Sequence, residues 1–211
     1  MNQISPLPET DKRERILQAT AELIVTGGLE TPMSRIASHS GVAIGTIYSH
    51  FPSKTHIVIG VYARLADQLR AALVPEADEK EDHKDRVEAY LHRYIDFFWS
   101  DPERAMLFEY LSNVPLIPPA DIAEVFQPVR DYNRAIFSEA QAAGQLRTIS
   151  PRTMAAFVGG AIRNALKWRR VHGEPLTEAD RADLVAMCLN ASGSALSHTT
   201  RQPFQCTPQS E

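Results

Sequence analysis

Apolar side chains recur every three to four residues along almost the whole chain, and glycine or proline interrupts this recurrence at short intervals. Such spacing puts the apolar side chains on one face of an α-helix, whereas a β-strand needs alternation. The longest run with steps of four is Ile57, Val61, Leu65, Leu69 and Leu73. The candidate helix ends are Gly27, Gly41, Pro52, Pro75, Gly144 and Gly173. We therefore predict an all-α chain of about nine helices.

Some helix boundaries have recognisable signals. Thr31 precedes a proline and is expected to cap a short helix that begins at that proline. Thr177 and Asp180 have the spacing of a capping box at the start of the last helix, which is expected to reach about Ser197. Another long helix is expected over residues 121–143.

Composition excludes several classes of protein. No apolar stretch approaches the roughly 18 residues of a membrane span, and the first residues lack the apolar core of a signal peptide. The two cysteines, Cys188 and Cys206, form neither a disulfide framework nor a zinc-binding spacing. Cys188 is expected to be a small core residue. We therefore expect a cytoplasmic protein without a metal ion or another cofactor.

The formal net charge of −4 conceals an uneven distribution along the chain. Residues 1–70 contain 7 Lys and Arg against 6 Asp and Glu, whereas residues 71–211 contain 15 against 20. The net acidity argues against a protein that coats nucleic acids through bulk positive charge. The window of residues 31–66, however, contains no acidic residue and carries Arg35, Lys54 and Arg64. If the chain has a local basic surface, this window is where we expect it.

The segment from Met33 to Phe51 has the residue pattern of a helix-turn-helix. Two short helices cross closely where a small residue separates them, and Ala37 is such a residue. Gly41 follows four positions later and tolerates the positive φ that the turn needs. The apolar side chains expected inside are Ile36, Val42 and Ile47. In a DNA-binding helix-turn-helix the second helix enters the major groove, although other helical corners imitate the pattern.

The flanking residues extend the match from Arg13 to Lys54. The matching residues are Arg13, Ile16, Leu17, Ala19, Gly28, Thr31, Ile36, Ala37, Gly41, Val42, Gly45, Thr46, Ile47, Tyr48, Phe51, Ser53 and Lys54. On these residues, the segment resembles the DNA-binding domain of the tetracycline-repressor (TetR) family. The resemblance implies a homodimeric transcription regulator, usually a repressor, that binds a near-palindromic operator in double-stranded DNA. It also implies a small-molecule effector and pairing of the last two long helices between subunits.

The resemblance divides the chain into four parts. We expect a flexible arm over residues 1–10 and a three-helix helix-turn-helix DNA-binding domain over residues 11–56. A helical ligand-binding and dimerisation domain is expected over residues 57–197, and a disordered tail over residues 198–211.

The resemblance places the DNA contacts in the helix-turn-helix and at the start of the next helix. The residues expected there are Thr31, Ser34, Arg35, Ile44, Gly45, Thr46, Tyr48, Ser49, His50 and Lys54. Gly45 permits a close approach of the backbone, and Thr46 offers a hydroxyl to a phosphate or a methyl group to thymine. Tyr48 and Lys54 are expected on phosphates, Lys54 with the help of the helix dipole. The alternatives are core packing for Tyr48 and a surface position without a role for His50.

Two residues depart from the family pattern. Ala43 cannot cap the recognition helix with a side-chain oxygen, a loss that typically costs ~1 kcal/mol. Ile44 stands where a polar or basic residue is common, and it can make only apolar contacts, for example with a thymine methyl group. We therefore expect specificity to depend on Arg35, Thr46 and DNA shape.

The aromatic residues are concentrated in one region, since 7 of the 16 lie between Tyr90 and Tyr110. Some of them share one helical face and are expected in the core, whereas Phe97 and Trp99 fall off that face. The residues expected to line a cavity for an apolar or aromatic effector are Tyr94, Phe97, Phe98, Trp99, Met106, Tyr110, Asn113, Phe126, Arg130, Phe137 and Trp168. Arg130 or Arg163 is a candidate partner for an effector carboxylate. Ordinary core packing is the alternative for each of these residues.

The last two long helices each carry an apolar stripe that is a candidate dimer interface. The residues are Met154, Val158, Ala161, Ile162 and Ala165 on the first helix, and Val185, Cys188, Leu189, Ser192 and Leu196 on the second. Gly159 and Gly160 lower the stability of the first helix by roughly 1 kcal/mol each. A close helix crossing or space for a ligand would explain their presence.

The alternative functions are a small helical enzyme and a transcriptional activator that responds to a partner. The chain contains no HExxH motif, no phosphate-binding loop and no nucleophile elbow, so we expect no catalytic residues. The sequence does not separate an activator from a repressor.

Overall fold

The computed structural model describes residues 9–76, 82–113 and 123–193. Its helices are α1 (Glu9–Gly27), α2 (Met33–Ser40), α3 (Ile44–His50), α4 (Lys54–Leu73), α5 (His83–Trp99), α6 (Pro102–Asn113), α7 (Gln127–Ala142), α8 (Pro151–Val171) and α9 (Glu178–Ser192). The only β-type pairing in these three ranges is an isolated bridge between Leu146 and Gly193. The predicted all-α fold, an N-terminal helix-turn-helix followed by a helical domain, is confirmed.

Helices α1 to α4 surround a small apolar core. Ile16, Ile36 and Ile47, one from each of the first three helices, are at most 1% exposed. Gly60 brings α4 against α1, because a Cβ atom at this position would lie 2.7 Å from Leu17 Cδ2. The absence of a side chain therefore sets how closely α4 approaches the helix-turn-helix domain.

Helix α5 lies at the centre of the C-terminal part. Leu91, Ile95 and Phe98 on α5 are at most 1% exposed, in contact with the core of the neighbouring helices. The Tyr62 hydroxyl of α4 donates a hydrogen bond of 2.6 Å to the Leu111 carbonyl of α6. Helix α4 is thus a continuous element that packs on both parts of the chain and crosses the expected boundary after residue 56.

Several predicted helix boundaries hold and others need correction. The capping box is present, with the Asp180 amide donating to Thr177 Oγ1 and the Thr177 amide donating to the Asp180 carboxylate. The last helix ends at Ser192 rather than near residue 197, because Gly193 is extended and bridges Leu146. Residues 123–125 are helical, and a turn at Phe126 separates them from α7, which begins at Gln127; the predicted start at residue 121 lies outside the described residues.

The expected arm and tail lie mostly outside the described residues. Residues 1–8 and 194–211 are not among them, but Glu9 already belongs to α1, which makes the expected arm too long. Among the helices of the described ranges, none is both long and apolar enough to cross a lipid bilayer.

Candidate DNA interface and ligand cavities

The turn between α2 and α3 has the geometry that its glycine predicts. Gly41 has φ of 64°, in the left-handed region, and the Val42 amide donates to the Ala37 carbonyl over 3.2 Å. Arg15 of α1 donates a 2.5 Å hydrogen bond to the Ser40 carbonyl. A Cβ atom on Gly41 would lie 2.6 Å from Arg15 Nη2. The backbone angle therefore requires glycine here, and a side chain would in addition displace the Arg15 guanidinium group.

Helix α3 presents one face to solvent. Ile44 is 46% exposed and Tyr48, one turn later, is 50% exposed, whereas Ile47 between them is fully buried. Gly45 lies on the same open side, and apart from its chain neighbours and the backbone of its own helix no atom lies within 4 Å of the position that its Cβ would take. Ser49 is exposed as well, with its hydroxyl donating to the Thr46 carbonyl over 2.7 Å. Because half of the Tyr48 ring is exposed, core packing does not account for its position.

Thr31 is the one predicted DNA contact whose side chain is turned inward. It is 5% exposed, and its hydroxyl donates a 2.9 Å hydrogen bond to the Gly28 carbonyl. It also does not cap α2, since Pro32 occupies the N-cap position and offers no side-chain hydrogen bond. The predictions of a cap and of a DNA contact by the Thr31 side chain are therefore wrong. Its hydroxyl instead forms a hydrogen bond within the loop between α1 and α2.

The other predicted contacts divide into exposed and half-buried side chains. Ser34 and Arg35 on α2 are exposed, whereas Thr46, His50 and Lys54 are half-buried. As expected from the sequence, Ala43 occupies the N-cap position of α3 without a side-chain hydrogen bond.

The positive charge of the acid-free window is concentrated at two of its three basic residues. Arg64 forms an ion pair with Glu14 of α1, with 2.5 Å between Nε and Oε1. Arg35 and Lys54 have no ion-pair partner among the described residues. These two residues therefore provide the uncompensated Lys and Arg charge of this window.

A first cavity of about 580 Å³ lies between α6 and α8 and is named the α6–α8 cavity here. Four predicted ligand contacts line it: Phe98, Met106, Tyr110 and Asn113. The other lining residues are Ala105, Glu109, Arg163, Leu166, Lys167, Arg170 and Val171. Its size suits a small organic molecule.

An ion pair forms part of the wall of the α6–α8 cavity. Arg163 Nε lies 3.0 Å from Glu109 Oε1, and the same guanidinium group donates to the Tyr94 hydroxyl. Tyr94 itself is buried, and burial raises the pKa of its hydroxyl. Arg163 thus lines the cavity with its charge paired to Glu109.

Tyr110 connects this cavity to the helix-turn-helix domain. Its hydroxyl accepts a 3.2 Å hydrogen bond from the Leu29 amide, in the loop between α1 and α2. The preceding residue, Gly28, has φ of 72°, and a Cβ there would lie 3.0 Å from the Tyr110 oxygen. A side chain that lines the cavity therefore also contacts the loop that leads to α2.

A second cavity of about 560 Å³ lies between α7 and the start of α8 and is named the α7–α8 cavity. Phe126 and Arg130, two further predicted ligand contacts, line it. Phe98 lines the first cavity and Phe108 the second, and their rings meet edge to face with 5.0 Å between centroids. The single cavity expected from the sequence is therefore two cavities separated by aromatic side chains.

Five predicted ligand contacts line neither cavity. Tyr94, Phe97 and Phe137 are buried, Phe97 beneath the guanidinium group of Arg104. Trp99 packs against Arg170, and Trp168 is 51% exposed and stacks on His172. These side chains are core or surface residues, because spacing in sequence gives the helix face but not what lies opposite it.

The predicted dimer stripe is mostly part of the core of one protomer. Six of its residues are at most 5% exposed: Met154, Val158, Ile162, Val185, Cys188 and Ser192. Burial also raises the pKa of the Cys188 thiol, in keeping with a core residue. Ala165 and Leu189 are half-buried, and Leu196 lies outside the described residues. The stripe is therefore wrong as an interface for these six residues.

A different apolar face of α8 and α9 is exposed, and we name it the outer face. Phe157 is 58% exposed, Trp168 51% and Met187 59%, and Ala161 is exposed between the first two. Phe157, Ala161 and Trp168 are four and then seven residues apart and so share one side of α8. The sequence already contains this spacing. However, α8 has apolar residues on two sides, and only the packing of the neighbouring helices shows which side is buried and which is exposed.

No group of three or more His, Cys, Asp or Glu side chains in the described ranges is arranged to hold a metal ion.

Comparisons with known proteins agree on the N-terminal domain. Residues 16–61 match the family model described as bacterial regulatory proteins of the tetR family. The transcriptional repressor KstR of Rhodococcus jostii is 40% identical over 62 residues, 29% of each chain. The nucleoid occlusion factor SlmA of Shewanella frigidimarina is 30% identical over 96 residues, 45% of this chain and 49% of that protein. The chain thus aligns with less than half the length of either relative.

A solved structure resembles the fold over most of the chain. A protein of Shewanella sp. PV-4, described as a TetR-family transcription regulator, superposes with a TM-score of 0.74 and 24% identity. The superposition covers 87% of this chain and 99% of that one. The superposition includes the C-terminal domain, so the agreement in fold is not limited to the N-terminal domain. At this identity it concerns the fold alone.

Proposed function

We propose that the chain is a member of the TetR family of bacterial regulatory proteins, whose model matches residues 16–61, and that it acts as a homodimeric, ligand-responsive repressor. It binds a near-palindromic DNA operator in the cytoplasm and is released by a small apolar or aromatic effector. The observation that carries the proposal is the exposed face of α3, where Ile44 and Tyr48 project into solvent. The uncompensated charges of Arg35 and Lys54 in the same domain support it.

The predicted DNA contacts of this domain have separate roles in recognition. The bare Cα of Gly45 lets the recognition helix approach the groove, and Ile44 contacts a thymine methyl group. Tyr48 and Lys54 hold phosphates and fix the register of the helix. Arg35, Thr46 and the deformability of the operator provide the remaining specificity.

The outer face of α8 and α9 pairs two protomers. Exposed Phe157, Trp168 and Met187 form an apolar surface of the kind that marks protein interfaces. A two-fold dimer places two recognition helices on successive half-sites, about 34–36 Å apart for one turn of DNA. This symmetry is the reason for a near-palindromic operator.

The effector binds in the α6–α8 cavity. Its apolar body lies against Phe98 and Leu166, and a carboxylate on it meets Arg163. Tyr110 carries the effect to the DNA-binding domain, because the same side chain lines the cavity and accepts a hydrogen bond from Leu29. Binding thereby changes the separation of the two recognition helices.

The experiment that tests the proposal is selection of binding sites from random duplex DNA, followed by footprinting. We expect one enriched sequence with two related half-sites and a protected region on one side of the duplex. Because only a few cations contact phosphates, the dependence of affinity on salt is expected to be shallow. If no sequence is enriched over the starting DNA, the proposal is wrong.

Replacing Tyr110 by phenylalanine is expected to uncouple effector binding from operator release. The variant keeps the ring in the cavity wall but loses the hydrogen bond to Leu29, which is worth about 1 kcal/mol. With an effector found by screening small aromatic and aliphatic carboxylates for operator release, calorimetry should give an unchanged affinity for the free protein. The effector concentration that releases operator should rise about fivefold. An unchanged release curve would show that Tyr110 does not transmit the effect.

A further inference from the structure

The α7–α8 cavity differs from the effector cavity in the charge of its lining. Its floor is apolar and contains the buried side chains of Leu69, Tyr90 and Val129. Its rim carries three arginines, namely Arg130, Arg134 and Arg152. No Asp or Glu is among the described residues that line it, whereas Glu109 lines the α6–α8 cavity.

The three arginines are only weakly compensated. Arg130 donates to the neutral side chain of Gln127 over 2.8 Å. Arg134 lies 3.6 Å from Asp131, and both side chains are more than half exposed, so that solvent screens the pair. Arg152 has no ion-pair or hydrogen-bond partner among the residues that the structure describes. The rim therefore keeps most of its positive charge.

Arg152 also occupies an unfavourable position for a cation. It lies in the first turn of α8, which contains no acidic residue, and the backbone dipole makes this end of a helix positive. A negative group in the cavity would be attracted both by the rim and by this end of the helix.

The polar groups at the floor are already satisfied. Asn133 is 8% exposed, and its amide donates a 2.8 Å hydrogen bond to the Tyr90 hydroxyl. The Tyr90 hydroxyl is neutral, and burial raises its pKa further. The floor thus favours an apolar group, and only the rim favours a charge.

From these observations we propose that the α7–α8 cavity is a second ligand site, which binds an amphipathic anion. The apolar body of the ligand lies on the floor beside Phe108 and Phe126. Its carboxylate or phosphate head contacts Arg130 and Arg152 at the rim, by hydrogen bonds that the positive charge strengthens. The contact between Phe98 and Phe108 separates this ligand from the effector in the α6–α8 cavity. The site does not depend on the proposed function, because its occupancy is measured without DNA.

Calorimetric titration of the full chain with three ten-carbon probes tests this proposal. The probes are decyl phosphate, decanoate and the uncharged 1-decanol, each below the concentration at which it aggregates. At least one anion is expected to bind about tenfold more tightly than 1-decanol. The better of the two anions tells whether the natural head is a phosphate or a carboxylate. If 1-decanol binds as tightly as both anions, or if neither anion binds, the proposal fails.

Charge-removing variants locate the bound anion. Arg152→Gln and Arg130→Gln change exposed side chains and should leave the fold intact. Each is expected to weaken binding of the preferred anion by about fivefold. The matched control is Lys167→Gln, which removes an exposed charge from the α6–α8 cavity and should leave this affinity unchanged. If the control alone weakens binding, or if neither arginine variant does, the anion binds elsewhere and the proposal is overturned.

Discussion

Replacing both Tyr48 and Lys54 by alanine is expected to lower the affinity for operator DNA by about 100-fold, since each lost phosphate contact is worth about tenfold. The Tyr48 ring is half exposed, and Lys54 has no ion-pair partner among the described residues. The thermal unfolding temperature should therefore change little. Affinity is measured by titration of labelled operator, and unfolding by circular dichroism.

The two single variants separate the contributions of charge and of hydrogen bonding. The slope of the logarithm of affinity against the logarithm of salt concentration counts the counterions that binding releases. Lys54→Ala should reduce this slope by about one, whereas Tyr48→Ala should leave it unchanged. Lys84→Ala is the matched control, because it removes an exposed cation from α5 and alters the net charge equally. If the double variant binds operator like the unchanged protein, the exposed face of α3 is not the DNA surface.

Replacing both Phe157 and Trp168 by aspartate is expected to raise the dissociation constant of the dimer by about 100-fold or more. Both side chains belong to the exposed outer face, so the change places unpaired charges in the interface without disturbing the protomer core. Sedimentation equilibrium should show a folded monomer. Operator binding should fall as well, because a monomer contacts only one half-site.

Ile44→Asp is the control for this second experiment. It introduces the same charge at a similarly exposed apolar residue, but in the DNA-binding domain. This variant should stay dimeric and lose operator binding, so the two results distinguish dimerisation from DNA contact. A variant of Phe157 and Trp168 that remained dimeric would place the interface on another surface.

Local signals in the sequence were sufficient wherever the backbone itself imposes the constraint. Gly41 was predicted as the turn residue because few other residues adopt a positive φ, and it has φ of 64°. The pair Thr177 and Asp180 was predicted as a capping box from its spacing alone, and both hydrogen bonds are present. Such features depend on a few adjacent residues, and tertiary packing leaves them unchanged.

Predictions that needed a view across the fold were less successful. Thr31 is of a residue type that often caps helices, but its hydroxyl donates to the carbonyl of Gly28 instead. Met154 and Phe157 both belong to apolar spacings on α8, and the sequence does not say which faces the protomer core. Periodicity identifies a helix face, whereas the choice of partner depends on the positions of all the neighbouring helices.

The ligand contacts illustrate the same limit. The concentration of aromatic residues around α5 correctly indicated a region with cavities, and Tyr110 and Phe126 line them. The sequence did not indicate that Phe98 and Phe108 meet and divide the space, because they lie on different helices. Arg134 and Arg152 at the rim of the second cavity were missed, since isolated arginines on a helix surface carry no distinctive spacing.

The continuity of α4 has a consequence for how sequences of this kind can diverge. This helix holds Leu17 of the DNA-binding domain through Gly60, and the Leu111 carbonyl of the C-terminal domain through Tyr62. A residue inserted after Leu73, where the helix has ended, would only lengthen the connection to α5 and would leave these two contacts unchanged. One residue inserted between them would turn one domain about 100° relative to the other and advance it by about 1.5 Å. Among diverging sequences, insertions and deletions should therefore be found after the C-terminal end of α4 and be absent from its middle.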